Sequence, residues 1–128
     1  MSSINVMIVD DVPLMRSLLT SALRSLEIEN IQEAGDSRTA LALFKKGKTN
    51  IAFLDINMPD MDGLTLMTKL REIDPGIFVI MVSGESSLSN VKKSISLGAK
   101  GFIVKPYTSG RVKDMLVKYK KEQVIEIN

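Results

Sequence analysis

Five side chains carry most of the chemistry open to this sequence: Asp10, Asp11, Asp55, Ser83 and Lys105. Each falls just after a short apolar run, and the runs end 4–9, 51–54, 77–82 and 102–104. The chain has no histidine and no cysteine. That removes the usual transition-metal ligands, Ser-His and Cys-His nucleophile pairs, disulfides and any phosphohistidine of its own. Carboxylates, hydroxyls, lysines and backbone remain. If the three aspartates share one place they repel, at roughly 4 kcal/mol for a pair about 4 Å apart at an effective dielectric near 20. Lys105 supplies one compensating charge and a divalent cation would supply two more. Hard oxygen ligands suit Mg²⁺, which keeps several waters and uses few protein groups. The reaction that fits is phosphoryl transfer onto a carboxylate, where positioning and charge neutralisation do most of the catalysis.

The elements that must bring these residues together follow from periodicity. Ile4 to Val9 reads as a strand buried on both faces, and Pro13 opens a helix whose apolar face is Met15, Leu18, Leu19, Ala22, Leu23 and Leu26. Ile31 to Ala34 is a weak strand, and Ser37 is the expected cap of a helix through Ala40, Leu41 and Phe44. Ile51 to Leu54 precedes a Pro-, Asp- and Gly-rich turn and a helix carrying Leu66, Met67, Leu70 and Ile73. Ile77 to Val82 leads to a helix capped by Ser87, using Leu88, Val91 and Ile95 and closed by Gly98. Phe102 to Val104 is a fifth strand, and a last helix over about Thr108 to Lys121 aligns Val112, Met115, Leu116 and Tyr119. Residues 123–128 alternate enough for a strand but read better as a frayed end.

Strands alternating with helices predict an α/β fold, a doubly wound five-stranded parallel sheet with five helices covering both faces. Ligands of such sheets sit at the carboxyl ends of the strands. Asp10, Asp11, Asp55, Ser83 and Lys105 are delivered to that edge by four different strands. An aspartate after a strand is usually only a turn or cap residue; the coincidence of all five is what points to a site.

At this point the residues carry a resemblance. VDD (Val9 to Asp11), DINMPDMDG from Asp55, VSGE (Val82 to Glu85) and GFIVKP (Gly101 to Pro106) resemble the motifs of response-regulator receiver domains, nearest to single-domain chemotaxis-type regulators, from about Ile4 to Lys121. The resemblance implies one receiver domain over 1–122 with a short tail, 123–128, and strand order 2-1-3-4-5, the order the flavodoxin-like fold is known for. It implies that Asp55 is the phosphoacceptor, taking its phosphoryl group from a sensor histidine kinase or histidine phosphotransfer protein. Mg²⁺ would be held by Asp11, Asp55 and the backbone carbonyl of Asn57, with Asp10 acting through water. Lys105 would pair with Asp55 and then the phosphoryl group, Ser83 would hydrogen-bond that group, and Phe102 would be the switch aromatic. Asn57 and Glu85 occupy the positions that tune hydrolysis, and the peptide bond before Pro106 is a cis candidate. Two residues depart from the pattern. Ser83 stands where Thr is commoner, and Phe102 stands where the chemotaxis regulators have Tyr, so it offers a partner no hydroxyl.

Other readings are weaker. An aspartate-nucleophile phosphatase needs a second Asp two residues after the nucleophile, and that residue is Asn57. A relay passing phosphate onward and an inactive receiver-like domain are the further alternatives, the intact Asp11, Asp55 and Lys105 set opposing the second. Gly47-Lys48-Thr49 mimics the end of a P-loop, but Ala42 replaces the required glycine. A calcium loop aligned on Gly63 would begin at Met58 and end at Lys69, where acids are needed. Asp60 and Asp62 are expected as turn and cap residues.

Residues 1–85 hold 8 basic and 12 acidic side chains and residues 86–128 hold 9 and 3, so the front is net −4 and the back net +6. The basic part suits a solvated helix face or an acidic, unidentified downstream partner; without a recognition helix or stacking aromatics, nucleic-acid binding is not expected. The first residues do not read as a signal peptide and no apolar run is long enough to span a membrane, so a cytoplasmic signalling protein, with no catalysis beyond its own phosphorylation and dephosphorylation, is the expectation.

Overall fold

In the computed structural model, residues 4–84 and 88–127 are described. Ten elements alternate: β1 (Asn5–Val9), α1 (Pro13–Ser25), β2 (Asn30–Ala34), α2 (Ser37–Lys45), β3 (Ile51–Asp55), α3 (Gly63–Ile73), β4 (Phe78–Ser83), α4 (Leu88–Ser96), β5 (Gly101–Val104) and α5 (Ser109–Ile127). All pairings are parallel and the sheet order is β2-β1-β3-β4-β5, as expected. The two continuous apolar runs, β3 and β4, are buried at every residue and lie inside the sheet, whereas the mixed NIQEA of β2 takes an edge.

The twofold alternation of strand side chains splits the core. Met7, Val9, Ala52, Leu54, Val79 and Met81 face α2 and α3 through Ala40, Phe44, Leu66, Met67 and Leu70, with Val91 of α4 and Phe102 in the same layer. Val6, Ile8, Ile51, Phe53, Ile80 and Val82 face α1 and α5 through Leu19, Leu23, Val112 and Leu116. Phe78 also meets Tyr119 edge to face, with ring centroids 5.4 Å apart.

Local signals place the helix ends with two differences from expectation. Pro13 begins α1, as its missing N–H permits. Asp62 caps α3, its side chain accepting from Leu64 N at 2.6 Å, and Gly98, at φ +114°, closes α4 with its N–H on Ile95 O. The cap of α2, however, is Asp36 and not Ser37: Asp36 is extended at φ −154° and its carboxylate accepts from Thr39 N at 2.7 Å, while Ser37 is already the first helical residue. Helix α5 runs to Ile127, past the Lys121 expected, with Glu122 of the added turn paired to Lys100 at 3.3 Å. The expected Ser87 cap lies outside the described residues.

Candidate functional site

Register assembles the site. Val9 pairs with Leu54, so the next residues, Asp10 and Asp55, stand side by side at the sheet edge. Asp55 pairs with Val82 and Ser83 with Val104, which puts Ser83 and Lys105 one step beyond on the neighbouring strands. One carboxylate oxygen from each of Asp10, Asp11 and Asp55 lies within 4.8 Å of the others. Asp10 is 1% and Asp55 4% exposed, whereas Asp11 is open to solvent.

Lys105 bridges the pair: its Nζ is 2.8 Å from Asp10 Oδ2 and 3.4 Å from Asp55 Oδ2. Sequence reasoning expected the lysine on Asp55; the shorter contact is to Asp10. Asp10 Oδ1 also accepts from Val12 N at 2.9 Å, and Asp55 Oδ1 accepts from Asn57 N at 3.2 Å. Burial pushes the Asp55 carboxyl above its ordinary value; Lys105 opposes the shift and Asp10 adds to it. Burial alone would lower Lys105, but its hydrogen bond to Asp10 and the attraction of Asp55 outweigh that and hold the ammonium above its ordinary value. Three carboxylates against one ammonium leave two negative charges in the cluster, the number one divalent cation balances. The donors are all hard oxygens, and the set fits Mg²⁺.

The remaining expected residues are placed as follows. Ser83 is fully buried at the end of β4. Phe102 is buried in the α2–α3 layer, and its carbonyl accepts from the Arg111 guanidinium at 3.2 Å. Asn57 is exposed on the loop after β3. The Lys105–Pro106 bond is cis. Glu85 lies outside the described residues.

Sequence reasoning missed two residues here. Arg16 of α1 donates to the Asp10 carbonyl at 2.5 Å and pairs with Glu33 at 3.3 Å, tying α1 and β2 to the turn that carries the aspartates. The Tyr107 phenol is raised well above the ordinary tyrosine value by burial first, then by the negative charges of Asp10 and Asp55. Asp10 thus sits between the Lys105 ammonium and the Val12 N–H. A Tyr107→Phe change keeps the ring packed against the α1–α5 core layer and removes only the hydroxyl, so stability in urea unfolding is expected within about 1 kcal/mol of the parent.

A family model for the response regulator receiver domain matches residues 6–117, and the chain belongs to that family. It is 35% identical over 118 residues to chemotaxis protein CheY-3 of Vibrio cholerae, an alignment covering 91% of each chain. It is 36% identical to chemotaxis protein CheY of Listeria monocytogenes, over 92% of this chain and 99% of that one. Among solved structures, the CheX-CheY-BeF3-Mg complex from Borrelia burgdorferi superposes with a TM-score of 0.85 at 35% identity, covering 90% of this chain and 87% of that one. The Asp10, Asp11 and Asp55 cluster fits the phospho-accepting, Mg²⁺-binding site of a receiver domain.

Proposed function

We propose that Asp55 accepts a phosphoryl group from a phosphohistidine of a sensor histidine kinase or histidine phosphotransfer protein, and that the resulting charge alters the surface around α4 and α5 that a downstream protein reads. The observation that carries this reading is Asp55 itself: a nearly buried carboxylate at a rigid strand end, flanked by two more carboxylates and contacted by Lys105.

Asp11, Asp55 and the Asn57 carbonyl would hold Mg²⁺, with Asp10 acting through water; when bound, the cation neutralises the carboxylates and the incoming phosphoryl oxygens. An Asp55 oxygen attacks phosphorus in line as the P–N bond to the donor imidazole breaks, and the imidazole leaves with that bonding pair. Lys105 exchanges its contact with Asp55 for one with a phosphoryl oxygen, and Ser83 turns its hydroxyl to another. Phe102 repacks as the Ser83 segment moves, and Asn57 and Glu85 set how readily water attacks the acyl phosphate. The phospho-form is short-lived, and the protein works in the cytoplasm as a signalling module, without turnover of external substrates or direct nucleic-acid binding. Asn57, in place of a second acid, supports that choice over a phosphatase.

The test is to incubate the protein with acetyl phosphate and Mg²⁺ and trap the product with borohydride. Reduction at residue 55, dependent on Mg²⁺, is the expected result. Sustained release of phosphate from phosphomonoesters would favour the phosphatase instead, and a phospho-form persisting for hours would remove the role given to Asn57 and Glu85. Capture of a partner only in the presence of beryllofluoride would identify the downstream protein.

A further inference from the structure

The loop that follows Asp55 is fastened sideways to α2. Asp60 Oδ2 accepts from Ser37 N at 3.0 Å and from Arg38 N at 3.3 Å, its Oδ1 lies 3.3 Å from Ser37 N, and Ser37 Oγ donates to Met61 O at 3.4 Å. The first turn of α2 therefore has two acidic caps. Asp36 is the helix's own cap and serves Thr39 N; Asp60, 23 residues beyond Ser37, serves the two N–H groups before it. Along its own path the loop is held by Asn57 N on Asp55 Oδ1 and by Gly63 N on Ile56 O at 2.8 Å. Neither bond fixes its lateral position. The bonds from Asp60 do, and they tie it to the element that follows β2, whose Ala34 carbonyl in turn accepts Asp10 N at 3.1 Å.

A backbone carbonyl cannot be re-aimed by a rotamer change; it goes where its loop goes. We infer that Asp60 is a positioning residue for the metal site, clasping the first turn of α2 so that the loop presents the Asn57 carbonyl beside Asp11 and Asp55. This rests on the reading of that carbonyl as a ligand given above. Outer groups that orient metal ligands commonly affect affinity tenfold or more.

The experiment is calorimetric titration of Mg²⁺ into the full chain and its Asp60→Ala, Asp60→Asn and Asp36→Ala variants, with thermal unfolding of each. Asp60→Ala is expected to bind Mg²⁺ about tenfold more weakly. Asp60→Asn, whose amide oxygen can still accept the N–H groups, is expected within about twofold of the parent, with the lost charge accounting for the difference. Asp36→Ala is expected to lower the melting temperature yet bind like the parent. Unchanged affinity in Asp60→Ala overturns the inference. So does an Asp60→Asn variant as weak as Asp60→Ala, which would make charge the cause, or an equally weak Asp36→Ala, which would make helix stability the cause. Failure of the unsubstituted chain to bind Mg²⁺ would instead overturn the site reading itself, and this inference with it.

Discussion

Asp55→Asn is expected to abolish Mg²⁺-dependent labelling by acetyl phosphate and, at the same time, to make the metal-free protein more stable near neutral pH. On the proposed role of Asp55, loss of label follows from loss of the attacking oxygen. The gain in stability follows from electrostatics. Burial and the Asp10 charge raise the Asp55 carboxyl, so the folded state holds that proton more tightly than the unfolded chain does. Such a group contributes stability that is complete below its ordinary value near 3.8 and is lost as pH rises through its raised folded value. At neutral pH the ionised carboxylate is a cost, and the neutral amide avoids it. Lys105 offsets part of that cost, so the gain is about 1–2 kcal/mol, set by the residual repulsion of a close carboxylate pair. Urea unfolding of both proteins from acid to neutral pH, without metal, should show a smaller loss of stability with rising pH in the variant. Mg²⁺ should narrow the gap, since saturation a hundredfold above Kd stabilises the parent by about 2.7 kcal/mol. Equal stability at every pH would mean the cluster is not strained.

Gly63→Ala is expected to be the most damaging single change near the site. A Cβ there would stand 2.1 Å from the Asp55 carbonyl oxygen and 2.9 Å from both Asp55 C and Ile56 Cα. All three are backbone atoms at the end of a central strand, so no side chain can yield. Gly63 N also donates to Ile56 O at 2.8 Å, holding α3 against that strand. Relief requires moving α3 or the end of β3, at a cost of about 3 kcal/mol, the upper range for overpacking. Because the strand end carries Asp55, labelling should slow even where the variant remains folded. A melting temperature and labelling rate matching the parent would refute the close approach.

Much of this was legible in local pattern. The uninterrupted apolar runs at Ile51 to Leu54 and Ile77 to Val82 mark central strands, and the polar residues that end four strands mark a common edge. The strand order, by contrast, follows from the receiver resemblance, since no periodicity tells which strands are neighbours. Asp36 and Ser37 are both good caps; only the extended backbone of Asp36 decides between them. Glu122, the first residue past the expected end of α5, is bound to Lys100, far back along the chain, a partner that no local pattern reveals. The surroundings of Tyr107 and the partner of Asp60 were missed for the same reason. One reads as a residue after a proline and the other as a turn residue, and in each case what acts on it, the Asp10 and Asp55 charges or the start of α2, comes from a distant part of the sequence.

The alternation that divides the core also divides the site. Lys105 follows the parity of Ile103, and Asp10 and Asp55 follow that of Ile8 and Phe53, so all three continue the rows that pack on α1 and α5. Ser83 continues the row of Val79 and Met81, and Phe102 is buried in that same layer, toward α2, α3 and Val91 of α4. On the proposed reading, charge is received in the row that packs on α1 and α5, and the part of the response that reaches α4 is released on the opposite face. The sheet would then separate input from the α4 side of the output: substitutions beneath Leu19 would tune how the site is charged, and those beneath Met81 or Val91 what the charge moves.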